Sequence, residues 1–208
     1  MDQEQAIRWL SEGRFGRFRD AAGGDHTRAV ALYNWHLELS TELFSLIHWS
    51  ELLLRNAIDA CLGAGQPQAP LAATWVLDFE VLRPWAVRQV VGAVERLPSE
   101  QEITRDRVVA GLSFGFWVAL LGRRYDELWR DRLHAAFPHE RPSREAVATV
   151  LRRLQRLRNR IAHHDCLLDV DAGSAVAEIF ALARWIDQDA DEWLRTVAPV
   201  ERLVARRP

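Results

Sequence analysis

The segment Arg158-Asn159-Arg160-Ile161-Ala162-His163-His164 places an arginine, an amide and two imidazoles within seven residues. That set suits phosphodiester cleavage in RNA. A histidine exchanges a proton with the 2′-hydroxyl or the leaving oxygen near neutral pH. An arginine holds the phosphate and offsets charge developing in the transition state. The nucleophile is then the substrate's own 2′-hydroxyl, which DNA lacks, and neither a metal nor a cofactor is required. The catalytic candidates are Arg158, Asn159 and His163, with His164 as the alternative imidazole. A plainer reading of the histidine pair is a polar helix end, where imidazolium favours the negative end of the helix dipole. Metal binding is disfavoured, because His163, His164, Asp165 and Cys166 lack chelating spacing.

These residues close a helix that Ser143 caps and that carries Val147, Val150, Leu151, Leu154, Leu157 and Ile161 on one side. On a wheel of about 100° per residue, Arg158 falls inside this apolar arc, while Arg152, Arg153, Arg156 and Arg160 fall on the opposite face. A guanidinium in the apolar arc must pair in the core, pack at an interface or line a site. Asn159 and His163 share a face at i,i+4, whereas Arg158 and His163 at i,i+5 stand about 140° apart. The motif therefore predicts either an irregular helix end or a site shared between two copies.

Residues 141–160 hold seven arginines against one acid, a net +6, and residues 165–192 hold eight acids against Arg184, a net −7. Two adjacent helices neutralising each other would account for this, and so would a surface in which Arg152, Arg153, Arg156 and Arg160 bind RNA. The 208-residue chain has 27 Lys+Arg positions, all of them Arg, against 29 acids. A net charge of −2 excludes a nonspecific polycation, and the absence of lysine excludes Schiff-base and phosphate-loop lysine chemistry. The start Met1-Asp2-Gln3-Glu4 is no signal peptide, no apolar run spans a bilayer, and Cys61 and Cys166 form no redox pattern. The reading is a cytoplasmic protein with no membrane partner.

Punctuation by Pro and Gly predicts an all-α fold. Helices are expected over about 2–19, 26–62 (capped by Asp25), 84–97, 104–121 with interruptions at Gly111 and Gly115, 125–136, 143–161 and 174–197. Gly63 to Pro70 reads as a loop, and Trp75 to Phe79 as a short piece of uncertain type. Phe114-Gly115-Phe116-Trp117 reads as core in preference to a base-stacking platform, and Arg14-Phe15-Gly16-Arg17-Phe18-Arg19 as an amphipathic helix in preference to a nucleic-acid arm. Leu54-Arg55-Asn56-Ala57-Ile58 echoes Leu157-Arg158-Asn159-Arg160-Ile161, and Glu51 with Arg55 gives it a plain intrahelical ion pair.

At Arg158 to His163 or His164, with four or five residues between, the sequence resembles the HEPN superfamily (higher eukaryotes and prokaryotes nucleotide-binding). More of the chain resembles one branch, the Abi-like (abortive infection) proteins of bacteria. The matching segments are Leu32-Tyr33-Asn34-Trp35, Glu51 to Ile58, Leu112 to Trp117, Tyr125 to Trp129, Phe137-Pro138 and Leu157 to His164, in that order over about residues 25–165. The resemblance implies one HEPN-like helical bundle: an N-terminal helix over 1–24, the resembling region over 25–165, and a C-terminal helix and tail over 174–208. It further implies a metal-independent endoribonuclease of antiphage or toxin type, with Arg158 and His163 catalytic and Asn159 the polar residue after the arginine. Two signature helices of a homodimer would line one cleft, and cleavage would leave a 2′,3′-cyclic phosphate and a 5′-hydroxyl. An antitoxin or another defence protein is a further expected partner. Because many HEPN proteins do not cut, a non-catalytic RNA-binding or protein-interaction module is the alternative. Asp165 is a departure, an acid placed where it repels phosphate.

Overall fold

A computed structural model describes residues 2–64, 71–100, 102–198 and 200–208; most of the expected loop after Gly63 lies outside them. Among the described residues the chain is all-helical, with no strand, and no helix is long and apolar enough to cross a membrane.

The N-terminal block departs from the single expected helix. It is split into α1 (Gln3–Leu10) and α2 (Glu12–Ala21), with Ser11 between them at φ 66°. The reason lies in packing. Ala6 and Phe15 are nine positions apart, so a straight helix would put them on opposite sides, about 180° apart. The break at Ser11 lets Ala6, Phe15 and Phe18 face the same small apolar cluster with Ala22, Ala29 and Leu32.

Asp25 then caps α3 (His26–Leu62), accepting from the Arg28 amide at 3.0 Å. This 37-residue helix is the axis of the molecule. Its buried positions, Leu39, Leu43, Leu46, Ile47, Leu54 and Ile58 among them, recur at helical spacing and face α8, α9 and α11. Pro84 opens α4 (Pro84–Glu95) as expected. The 104–121 region divides into α5 (Arg105–Ala110) and α6 (Phe114–Leu120), the latter capped by Ser113. Gly111 ends α5, whereas Gly115 lies inside α6 and interrupts nothing. A Cβ there would stand 2.9 Å from Gln155 Nε2, the end of a flexible side chain on α8 that can move aside. Phe114, Phe116 and Trp117 are buried core. Trp75 to Leu77 and Arg123 to Tyr125 are single 3₁₀ turns, and α7 (Asp126–Asp131) is followed by another at Leu133 to Ala136.

α8 (Arg144–Ala162) is capped by Ser143, whose hydroxyl accepts from the Ala146 amide at 3.1 Å. The last long helix, expected over 174–197, is instead two, α9 (Ala172–Ile186) and α10 (Gln188–Val197), and a short α11 (Val200–Ala205) follows in the tail. Asp187 adopts extended backbone (φ −157°, ψ 124°) and caps α10, so the chain folds back. Buried Asp191 then meets both Arg184 and Arg195, and the Trp35 indole N–H donates to the Leu203 carbonyl at 2.8 Å.

Candidate active site

α8 remains regular to its end. The His163 amide donates to the Asn159 carbonyl at 2.9 Å, so no distortion precedes the histidines. The helix closes by a Schellman turn: the His164 amide donates to Ile161 O and the Asp165 amide to Arg160 O, both at 2.9 Å. His164 occupies the left-handed position at φ 56°, where glycine is usual. Of the two arrangements the motif allowed, an irregular helix end is therefore not what one chain adopts. Arg158 and His163 stand on different faces, and both histidines are exposed.

A side chain held at positive φ costs roughly 1–2 kcal/mol, against about 0.5–1 kcal/mol for the extra chain entropy of glycine. His164→Gly is expected to raise stability by about 0.5–1 kcal/mol. Chemical denaturation of both proteins measures this; a loss of stability would show that the imidazole has structural contacts that outweigh the strain.

Arg158 is half-buried. Its guanidinium reaches Asn159 Oδ1 at 3.5 Å and, among the described residues, makes no ion-pair contact with a carboxylate. The Asn159 side chain thus turns to Arg158 and not to the His163 ring. Antiparallel packing of α3 on α8 brings Glu51 and His48 to this point. Burial pushes the Glu51 carboxyl up from its usual range; Arg158 opposes that most strongly, then His48 and Arg55. The expected Glu51–Arg55 ion pair is not formed: Arg55 donates to Asn56 Oδ1 at 3.3 Å, which repeats in α3 the Arg158–Asn159 contact of α8. Glu51 belongs with Arg158 because the register of the two helices puts it there. Its place on the face of α3 shared with Leu37, Phe44 and His48 was readable as spacing, but its partner was not.

The four outward arginines divide evenly. Arg153 is ion-paired with Glu178. Arg160 is bound by both Asp169 oxygens, at 2.7 and 3.2 Å, and by the Cys166 carbonyl. Those contacts hold its guanidinium pKa above the usual value and pull the Asp169 carboxyl below its own. Mutual neutralisation of the basic helix and the acidic stretch therefore occurs at these two residues. Arg152 donates to the Thr149 hydroxyl at 3.1 Å and Arg156 is exposed; among the described residues neither is in ion-pair contact with an acid.

Beside the end of α8 lies a cleft of about 820 Å³ between α2, α3 and the turn at His164. Buried in its wall, His36 hydrogen-bonds through Nε2 to the Asp165 carbonyl at 3.1 Å, and its Nδ1 has no hydrogen-bond partner among the described residues. Burial lowers the His36 pKa against the pull of that carbonyl, and the charges of Arg14 and Arg160 lower it further. The folded protein thus holds this ring neutral where the unfolded chain would protonate it. Between the depressed folded pKa and the unfolded value of about 6.5 the unfolded state binds more protons, so stability rises with pH across that window and is lost as pH falls through it. Urea midpoints are expected to drop on going from pH 7.5 to pH 5.5, and His36→Phe is expected to shrink that drop. An equal drop in the variant would remove His36 as its source.

Among the described residues no group of three or more His, Cys, Asp or Glu side chains is gathered as a metal site requires. No protein-family model matches the chain, and neither a curated protein nor a solved structure does. What the fold and the site define is a helical protein whose longest helix carries an acid and an imidazole to an arginine near the histidine-bearing end of α8.

Proposed function

We propose that this protein is a metal-independent RNA endonuclease of antiphage or toxin type, acting as a homodimer through Arg158 and His163. The observation that carries the reading is the state of Arg158. A half-buried guanidinium with no carboxylate in contact is costly unless a ligand supplies the anion. Glu51 lies near enough to feel the charge of Arg158 but makes no ion-pair contact with it.

In the proposed reaction His163 takes the proton of a 2′-hydroxyl, and the 2′-oxygen attacks the adjacent phosphorus. Arg158 binds the non-bridging oxygens as charge grows. The bond from phosphorus to the 5′-oxygen breaks, and that oxygen takes a proton from a second imidazole. The products are a 2′,3′-cyclic phosphate and a 5′-hydroxyl. Because α8 is regular, Arg158 and His163 of one chain point apart; a two-fold axis beside the helix end brings the arginine of one copy to the histidine of the other. Arg152 and Arg156, free of acids, extend the positive surface for the RNA backbone.

The test is incubation of the purified protein with structured RNA in EDTA, with the cut ends mapped. Cleavage leaving cyclic phosphates is expected, and His163→Ala should lower its rate by about 10²–10⁴-fold. Undiminished cleavage by that variant would sink the assignment. The separation of Arg158 and His163 within one chain also supports a second reading, a non-catalytic RNA-binding or protein-interaction module of a defence system. A monomer in sedimentation that binds RNA without cutting it would select that reading.

A further inference from the structure

The cleft between α2, α3 and the turn at His164 takes no part in the chemistry above. Its apolar wall is formed by Phe18, Tyr33, Phe44 and Ile161. Phe18 and Tyr33 pack edge to face, with ring centres 5.1 Å apart, which fixes the tyrosine ring. Phe44 is 42% exposed on α3, a large apolar surface with no partner in the fold. Hydroxyls of Ser40 and Thr41 also line the space; each donates to a carbonyl one turn back, at 2.8 and 3.0 Å, and keeps its lone pairs for a donor on a ligand.

The mouth is cationic. Arg14 and Arg17 of α2 line it, both exposed and neither in ion-pair contact with a carboxylate among the described residues. Arg14 reaches across to the His164 carbonyl at 3.2 Å, which ties α2 to the end of α8. Asp165 is the acid lining the cleft, and its charge also faces Arg160. Ala162, at the inner edge, is one turn along α8 from Arg158, a rise of roughly 5.4 Å.

An apolar aromatic wall, hydroxyl acceptors and the guanidiniums of Arg14 and Arg17 at the rim match a base and its phosphate. The volume lies within the range of roughly 300–1,000 Å³ typical of sites that enclose one small ligand. We infer that this cleft takes one unstacked nucleotide of single-stranded RNA beside the cleaved bond, its base against Phe44 and its phosphate on Arg14 and Arg17. It would act as the subsite that selects where the chain is cut. Its location beside the cleaved bond rests on the nuclease reading, while its capacity to hold a nucleotide does not.

The test is calorimetric titration of the full-length protein with each of the four ribonucleoside 5′-monophosphates, with inorganic phosphate and a polyglutamate peptide as controls. At least one nucleotide is expected to bind, more tightly than phosphate. Affinity should fall about tenfold or more in the Arg14→Ala/Arg17→Ala variant and about fivefold or more in Phe44→Ala. It should hold within about twofold in Arg88→Ala, at an exposed residue of α4 outside the cleft. Arg17→Glu alone, at an exposed residue that makes no ion-pair contact among the described residues and only faces the charge of Asp169, repeats the charge test should the double variant fold poorly. Absence of nucleotide binding, equal binding by all variants, or preference for phosphate or the acidic peptide would overturn the inference. If nucleotides bind as described while the wild type cuts no RNA, the nuclease reading fails and the pocket stands; if RNA is cut but no nucleotide binds, the pocket alone fails.

Discussion

Replacing Arg158 by alanine is expected to slow RNA cleavage by about 10²–10³-fold with little change in stability. Both halves follow from the same contacts. The guanidinium is in ion-pair contact with no carboxylate among the described residues, so its removal breaks no ion pair there. The side chain is only half-buried, and its truncation should cost no more than about 1 kcal/mol. What Arg158 leaves behind is Glu51, half-buried and deprived of its strongest cation. That carboxyl should then protonate at higher pH than in the wild type, and Glu51→Gln should partly offset the loss in the double variant. Arg158→Lys keeps the charge but not the planar fork, so only partial activity should return. The measurements are initial rates in EDTA and thermal melts for the single and double variants. Wild-type rates in Arg158→Ala would remove this residue from the chemistry; a fall in melting temperature of tens of degrees would make its role structural.

Leu154→Ala is expected to be the more damaging substitution for the fold. Leu154 is fully buried, one turn before Arg158 on the same side of α8, in the cluster shared by α3, α8 and α9. Truncating a buried leucine costs about 2–5 kcal/mol, through lost burial and the cavity left behind. Against a total stability of roughly 5–15 kcal/mol, that is a large share. For a chain of this size a loss of 3 kcal/mol corresponds to a drop of roughly 6–12 °C in Tm. Because the same turn sets the height of Arg158 above Glu51, cleavage should fall even at temperatures where the variant is fully folded. Calorimetry with activity measured at 20 °C checks both effects. A loss below about 1 kcal/mol would mean that α8 does not pack here as described.

Local chemistry made much of the architecture readable. The run without Pro or Gly from His26 to Leu62, the caps at Asp25 and Ser143, and Pro84 at a helix start depend on neighbours within four residues, and each helix begins where those signals place it. The all-α class and the buried Phe114–Trp117 segment follow from periodicity and ring size in the same way. Breaks within apparently continuous patterns were not readable. Ser11 and Asp187 carry no strong stop signal, and the chain turns there because distant surfaces must be covered: Phe15 and Phe18 against α3, Leu194 and Leu203 against the main core.

The candidate site divides along the same line. Sequence by itself determined which groups are present: an arginine in an apolar arc, a histidine pair at a helix end, and no lysine to share the cationic work. Only the tertiary structure decided their company. It made Arg158, ahead of Arg55, the strongest cation acting on Glu51, bound Arg153 and Arg160 to acids while leaving Arg152 and Arg156 without an ion pair among the described residues, and closed a cleft by joining Arg14 to His164, 150 positions away. The physical reason is range. Helix formation and capping are settled within one or two turns, whereas the partner of a charge depends on the register in which two helices pack, and that register is set by the whole buried surface at once.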